Sequence, residues 1–223
     1  MENLKLKNNY KISIAADGSA ASGKTTGAKR ISKKYGFKFL SSGLLYRYAS
    51  YLLLKNDPSN KVQFLKKKFK SLRLTKLNRI DLHSNKISEY TSLIAKKKKI
   101  RNILKSFQVK FAKKHKKVCI EGRDIASVIL PKADIKFFFK CNLNTAAKRR
   151  FKELKKTNNK IKLIDIKKSL KTRNYRDISR KNSPLLKSPD AIVVDTGKIN
   201  NISDMITKMS ETIERKVKDK YGS

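Results

Sequence analysis

At 223 residues, 39% of them hydrophobic, the chain can build one domain of moderate size around a continuous core. No stretch of about 18 uninterrupted apolar residues occurs, and the opening MENLKLKNNYK is too polar for a secretory leader, so a soluble cytoplasmic protein without a membrane span is predicted. The 57 Lys and Arg against 17 Asp and Glu leave a formal charge of +40, a field that attracts polyanions.

The lysines are spread through almost every helix-like stretch rather than gathered in a stripe with groove-reading residues. Lys, Asn and Ile share A/T-rich codons, and much of the excess reads as genome bias, which leaves the scarcity of acidic residues unexplained. Nonspecific attraction to RNA or DNA at low salt is expected, with no specific nucleic-acid partner.

Tyr10 to Ala16 reads as a strand, and Lys24 to Tyr35 carries helical spacing that stops at Gly36, a C-terminal cap. Phe37 to Leu40 is a second strand, and Leu44 to Leu54 a largely buried helix closed by Asn56, Asp57 and Pro58. A lysine-rich helix over Val62 to Lys70 follows. Leu72-Arg73-Leu74 and Ile80-Asp81-Leu82 alternate apolar and polar around a polar turn, which predicts a small antiparallel insert.

Helical texture returns from Ser88 to Lys114, broken near the lysines 96 to 99, and Val118 to Ile120 is the third strand. Ile135 to Phe139 is a continuous apolar run, the pattern of a strand covered on both faces. Asn144 is the expected cap of a helix that runs through Arg149 and Arg150 to the polar patch KKTNNK at 155 to 160. Another helix spans Ile164 to Ser179, and Ala191 to Asp195 forms the last strand. Ile202, Ile206, Met209, Ile213 and Val217 recur at three or four residues, one buried stripe on a C-terminal helix. Cys119 and Cys141 lie at or beside apolar runs without metal-ligand spacing and read as buried thiols.

Five short strands alternating with helices imply an α/β fold with a parallel sheet, its function at the carboxyl ends of the strands. There Gly18, Ser19, Ala20, Ala21, Ser22, Gly23, Lys24 and Thr25 fit G-x-x-x-x-G-K-[ST] at every position, between a strand and a helix. Glycines let successive backbone N–H groups point at phosphate oxygens, and the helix N-terminus adds partial positive charge. Lys24 is expected on the β and γ phosphates and the Thr25 hydroxyl on Mg²⁺, with Thr26 completing the loop. The loop identifies a nucleoside triphosphate but not its acceptor: GTPases, helicases, ABC ATPases and small-molecule kinases share it. At this length, with no second nucleotide-sensing motif, a small kinase is the economical choice.

An alcohol acceptor benefits from a carboxylate that takes its proton, whereas a phosphate monoester is already anionic and needs charge neutralisation instead. The second half of the chain offers arginines, whose planar fork matches phosphate. Arg123 sits past a strand end in EGRD; Arg173, Arg176 and Arg180 are spaced by three and four in RNYRDISR, on one helical face; Arg149 and Arg150 lie beside the expected lid. Arg176 and Asp177 also fit an ordinary surface pair, and Arg149 and Arg150 solvated helix residues.

Taken in order, IAADGSAASGKTT, FLSSGLLYR, SLIAKKKKIRNIL, EGRDIASVILPKADIKFFFKCN followed by AAKRRFKEL, SLKTRNYRDISRKNSPL and SPDAIVVDT resemble the bacterial cytidylate kinases, a branch of the nucleoside monophosphate kinases, over nearly the whole chain. The resemblance implies the P-loop fold with strand order 2-3-1-4-5, a single kinase domain of core (1–60, 99–150 and 181–223), nucleotide-monophosphate insert (about 61–98) and short helical lid (about 151–180, its tip around 155 to 163). It implies ATP-dependent phosphorylation of CMP and dCMP with Mg²⁺; a monomer is expected, though the sequence itself does not reveal the oligomeric state.

By position it places Ser92 and Arg101 at cytosine, Arg123 and Arg180 at the transferred and acceptor phosphates, Arg173 and Asp177 near the sugar, and Ser42, with Arg47 nearby, in the same pocket. Arg149 and Arg150 fall on the donor side, and Asp124 either in the Mg²⁺ shell or beside a neighbouring arginine. Three positions depart from the family's pattern: Ser41 stands where an aspartate is common, Ala126 replaces a glycine in the EGRDIAS turn, and Lys86-Ile87-Ser88 lacks an expected arginine. Two rivals stay open: a related small kinase acting on UMP, AMP or an alcohol, and a nucleic-acid-binding P-loop ATPase.

Overall fold

The first strand, β1 (Ile12–Gly18), is buried over most of its length, because it runs through the middle of the sheet with parallel partners on both sides. The computed structural model describes residue 6 and residues 9–155, 160–199 and 201–222, with the backbone alone at 78. Its sheet is parallel throughout, in the order β2-β3-β1-β4-β5, formed by β1, β2 (Lys38–Ser41), β3 (Lys117–Gly122), β4 (Ile135–Lys140) and β5 (Ile192–Asp195). Ile14 is in register with Cys119 on one side and Ile135 on the other. Because every strand runs the same way, all five carboxyl ends gather at one edge.

Helices cover both faces. Against one, α1 (Lys24–Tyr35) and α8 (Ile202–Tyr221) bury Ile31, Tyr35, Met209 and Ile213 on Ile12, Ile14, Phe137 and Phe139. Against the other, α2 (Ser42–Asn56), α3 (Lys61–Lys70) and α5 (Lys98–Lys114) bury Leu45, Leu53, Leu65, Ile100 and Leu104 on Ala15, Leu40 and Ile120. A third, smaller cluster joins Ala20 of the glycine-rich loop to α6 (Leu143–Lys155) and α7 (Leu163–Ser179) through Ala146, Ala147, Ile166 and Leu170. The remaining helix, α4 (Asn85–Ile94), lies between α2 and α7. Gly36 ends α1 with φ 72°, as its spacing predicts.

Several expectations are corrected. No antiparallel pair forms between 72 and 82; Leu74–Arg79 is a 3₁₀ helix, and Leu74, Leu77 and Ile80 step by three residues onto the α2 cluster, with Leu82 fully buried beside them. The period-two texture of 72–74 and 80–82 has no partner strand to satisfy it. β4 alternates instead of being covered on both faces: Ile135, Phe137 and Phe139 are buried while Lys136 and Phe138 are half-buried. The side chain of Asn142, not Asn144, caps α6 by accepting from the Thr145 N–H at 2.8 Å. On α8, Met205 takes the place in the stripe expected for Ile202, which stays exposed, and Ile206 is half-buried. Cys119 is buried, but Cys141 is only partly so. Four residues of the KKTNNK patch, 156–159, and with them the tip of the expected lid, lie outside the described residues.

Candidate active site

β1 ends in a glycine for a steric reason. Gly18 has φ 154°, and a Cβ there would fall 2.4 Å from the Phe139 carbonyl oxygen, so no other residue lets the chain turn away from β4. The loop then passes through left-handed backbone at Ala21 (φ 55°) and Gly23 (φ 82°) before α1 begins at Lys24. No side chain caps α1, which leaves its first-turn N–H groups directed into the cleft as an anion site. The loop is braced by internal and outside contacts: the Ser22 hydroxyl donates to Ser19 O at 2.9 Å, the Thr196 hydroxyl to Ser22 O at 2.9 Å, and the Ala20 N–H to Asn174 Oδ1 at 3.0 Å.

Lys24 Nζ lies 3.3 Å from Ser19 O and 3.9 Å from Glu121 Oε2. Burial pushes its ammonium down to about 7, Arg123 adds to the effect, and Glu121 opposes it in part. Glu121, the last carboxylate on β3, is itself buried and accepts from the Ser41 hydroxyl. A cleft of about 550 Å³ opens here, lined by the loop, Thr25, Thr26, Ser41, Glu121 and five arginines beyond.

Those five are Arg47, Arg123, Arg149, Arg150 and Arg173, with Arg150 paired to Glu153 at 2.8 Å. Arg149 donates to the Thr196 hydroxyl at 2.9 Å and to Thr196 O at 2.8 Å, so it is fixed to the end of β5 and not a freely solvated helix residue. Arg47 donates to Leu82 O at 2.7 Å and to Ser88 Oγ at 2.8 Å; burial, then Arg150 and Arg123, bring it down to about 10. Burial and the neighbouring Arg123 and Arg47 bring Arg173 down to about 9, the mark of cations packed without enough anions.

Behind the cleft the charges alternate. Arg123 Nε donates to Asp177 Oδ2 at 2.9 Å, and Arg180 reaches Asp177 Oδ1 at 3.3 Å while its Nε donates to Ser183 O at 2.6 Å. Burial alone would raise the Asp177 carboxyl, but Arg123, Arg180 and Arg173 hold it below the usual carboxylate range. The Arg180 terminal nitrogen Nη2 is buried and has no hydrogen-bond partner among the described residues. A buried guanidinium donor without a partner is costly, and leaves this point short of an acceptor.

Other expected residues are arranged differently. Asp124 is buried and paired with Arg101, whose second terminal nitrogen donates to Ala95 O at 3.0 Å and whose plane lies over Tyr46. Asp124 thus stands beside an arginine; the cleft itself is lined by the buried carboxylate of Glu121 and the exposed one of Glu153. Ser42 is buried against Gly122, and Ser41 faces the cleft in its place. Ser92 accepts from Arg176 at 2.9 Å and is not joined to Arg101. Arg176 thus crosses to α4 instead of pairing with Asp177, and it lines a second opening of about 720 Å³ between α4 and α7 that shares Arg150 and Arg173 with the first.

Sequence reasoning missed Glu121, Ser41, Asn174 and Thr196. A signal existed for Glu121, a lone carboxylate ending the apolar run VCIE; Asn174 and Thr196 matter through contacts 154 and 174 residues away along the chain.

Comparison with known proteins agrees with this geometry. The sequence profile of the family described as Cytidylate kinase matches residues 14–215. A cytidylate kinase of Bartonella tribocorum is 38% identical over 84% of this chain and 87% of its own length, and one of Fusobacterium nucleatum 35% identical over 92% and 98%. Among solved structures, an uncharacterized protein from Eubacterium ventriosum superposes with TM-score 0.54 at 15% identity, over 92% of this chain and 99% of its own. TT1252 from Thermus thermophilus gives 0.52 at 13%, over 94% and 99%; both likenesses concern the fold. With the profile spanning most of the chain, and relatives above 30% identity matched nearly end to end, the chain belongs to the cytidylate kinase family.

Proposed function

We propose that the chain transfers the γ-phosphoryl group of ATP directly to the phosphate of CMP or dCMP, giving CDP or dCDP. The observation that carries this reading beyond family membership is the acceptor side: Arg123, Arg173 and Arg180 gather around Asp177, with one buried Arg180 donor unpaired, opposite the phosphate loop. An acceptor that is already anionic needs such cations and no general base. In this reading the loop N–H groups and Lys24 hold the β and γ phosphates, and Arg149 and Arg150 face the donor nucleotide. Arg123 lies between the two phosphates. Asp177 keeps Arg123 and Arg180 aligned before substrate arrives, and its carboxylate oxygens are the acceptors for a sugar hydroxyl near Arg173. Arg47 and Arg180 take the acceptor phosphate, and Arg101, oriented by Asp124, lies with Ser92 on the cytosine side, where a hydroxyl acceptor beside a guanidinium donor suits the base's amino group, ring nitrogen and carbonyl.

The donor set of Thr25 and Glu121 is all oxygen, with a buried carboxylate, and fits Mg²⁺ bound to the nucleotide. When bound, the ion neutralises charge shared by the β and γ phosphates. The division into core, insert and lid belongs to the same proposal, with α3 to α4 closing over the monophosphate and the α6–α7 region excluding water. ADP release measured across CMP, dCMP, UMP, AMP and shikimate tests the reading. Turnover with CMP and dCMP well above the others is expected, and no response to CMP would overturn it.

A further inference from the structure

Charge is not distributed evenly over the folded chain. α3 carries five lysines and α5 six lysines and Arg101, and neither contains an Asp or Glu. The two helices pack side by side, Phe69 meeting Phe107 edge to face at 5.9 Å, so their outer surfaces form one field. Lys66, Lys67 and Lys70 on α3 and Lys105, Lys110, Lys113 and Lys114 on α5 are exposed, and none has an ion-pair partner among the described residues. Lys61 at the edge is the exception, 3.5 Å from Asp57. The helices elsewhere differ. α1 and α2 also lack acids, but α2 carries only Arg47 and Lys55, and α1 lies on α8, whose Glu214 approaches Lys34 and which interleaves Asp204, Glu211, Glu214 and Asp219 with its basic residues.

The surface also says what it is not built for. None of the exposed large apolar side chains lies on α3 or α5, so there is nothing to insert into a bilayer, and no exposed aromatic ring on which an unpaired base would stack. Lysine offers point charges without the arginine fork that reads guanine. What fits is a rigid, dense row of phosphates. α5, 17 residues long, extends about 25 Å at about 1.5 Å per residue, and with α3 beside it covers roughly seven base pairs of a duplex carrying a charge every ~1.7 Å.

We propose that the α3–α5 face docks duplex DNA through its phosphate backbone without reading sequence, a role independent of the phosphoryl-transfer site. The test is fluorescence anisotropy with a labelled DNA duplex of about 24 base pairs over a range of KCl, comparing the whole chain with two fourfold variants. One carries Lys105→Gln, Lys110→Gln, Lys113→Gln and Lys114→Gln; the other removes the same charge at Lys33, Lys208, Lys216 and Lys218. The first is expected to bind at least tenfold more weakly at about 0.1 M salt and to flatten the log–log salt slope by about 3 to 4, near 0.9 for each phosphate that a lysine no longer neutralises. The second should weaken less than threefold, and both should keep CMP turnover within about twofold, since none of these lysines lines the cleft. Equal weakening in the two variants, tighter binding of the single strand than of the duplex, or phosphatidylserine vesicles that bind through the same four lysines and are not displaced by duplex would each overturn the proposal.

Discussion

Lys24 is held in the free chain at a protonation state that its ligand has to change. Burial and Arg123 bring it down to about 7, so above that pH the free side chain is largely neutral, whereas bound phosphate favours the ammonium. ATP binding near pH 8 should therefore take up a proton, read by calorimetry in buffers of different ionisation enthalpy, and Lys24→Met should abolish that uptake. Binding with no net proton exchange at pH 8 would contradict the assignment. Arg123 belongs to the same scale: in the role proposed for it between the two phosphates, its removal (Arg123→Ala) is expected to lower turnover by roughly 10³, the range of transition-state arginines. A variant within about threefold of the parent would take Arg123 out of that role. Two carboxylates at this strand end show the limit of the string: the resemblance put Asp124 in the Mg²⁺ shell or beside an arginine, and the turn after β3 pairs it with Arg101 while Glu121 lines the cleft. A one-letter string does not say which way each side chain leaves the strand end.

Among the elements, those with one strong periodicity were legible and those with mixed texture were not. α1 begins and ends where loop and glycine place it, and the five strands stand where apolar runs stop at turns. The insert failed because five apolar residues between 72 and 82 satisfy a period of two over each half and a period of three across the middle; only burial on α2 decides between them. Within the site, the phosphate loop and Arg123 could be read from type and spacing, while the bracing groups could not, because Asn174 and Thr196 act on the loop from the far half of the chain. The 3₁₀ segment is consequently part of the core. Leu82 is fully buried and its carbonyl accepts from Arg47. Leu82→Ala should cost about 2–5 kcal/mol, the range for a buried leucine, measured by urea unfolding followed by circular dichroism. A change under about 0.5 kcal/mol would show that the segment contributes little to the packed insert.

At the scale of the whole molecule, a parallel sheet sends its five chain ends to one edge, and the groups collected there come from residues as far apart as Gly18 and Thr196. Two independent cores hold that edge from opposite faces, and among the described residues no helix is long and apolar enough to cross a membrane. One hydrogen bond ties α7 to the phosphate loop: Asn174 accepts from the Ala20 N–H, while Arg173 and Arg176 of the same helix line the opening between α4 and α7. In the proposed arrangement one rigid element would touch both substrates, and thermodynamic linkage fixes the consequence: whatever factor bound CMP applies to the affinity for ATP, bound ATP must apply to the affinity for CMP. Titrating each nucleotide alone and against a nonreactive analogue of the other should give equal factors, and Asn174→Ala should bring both toward unity together.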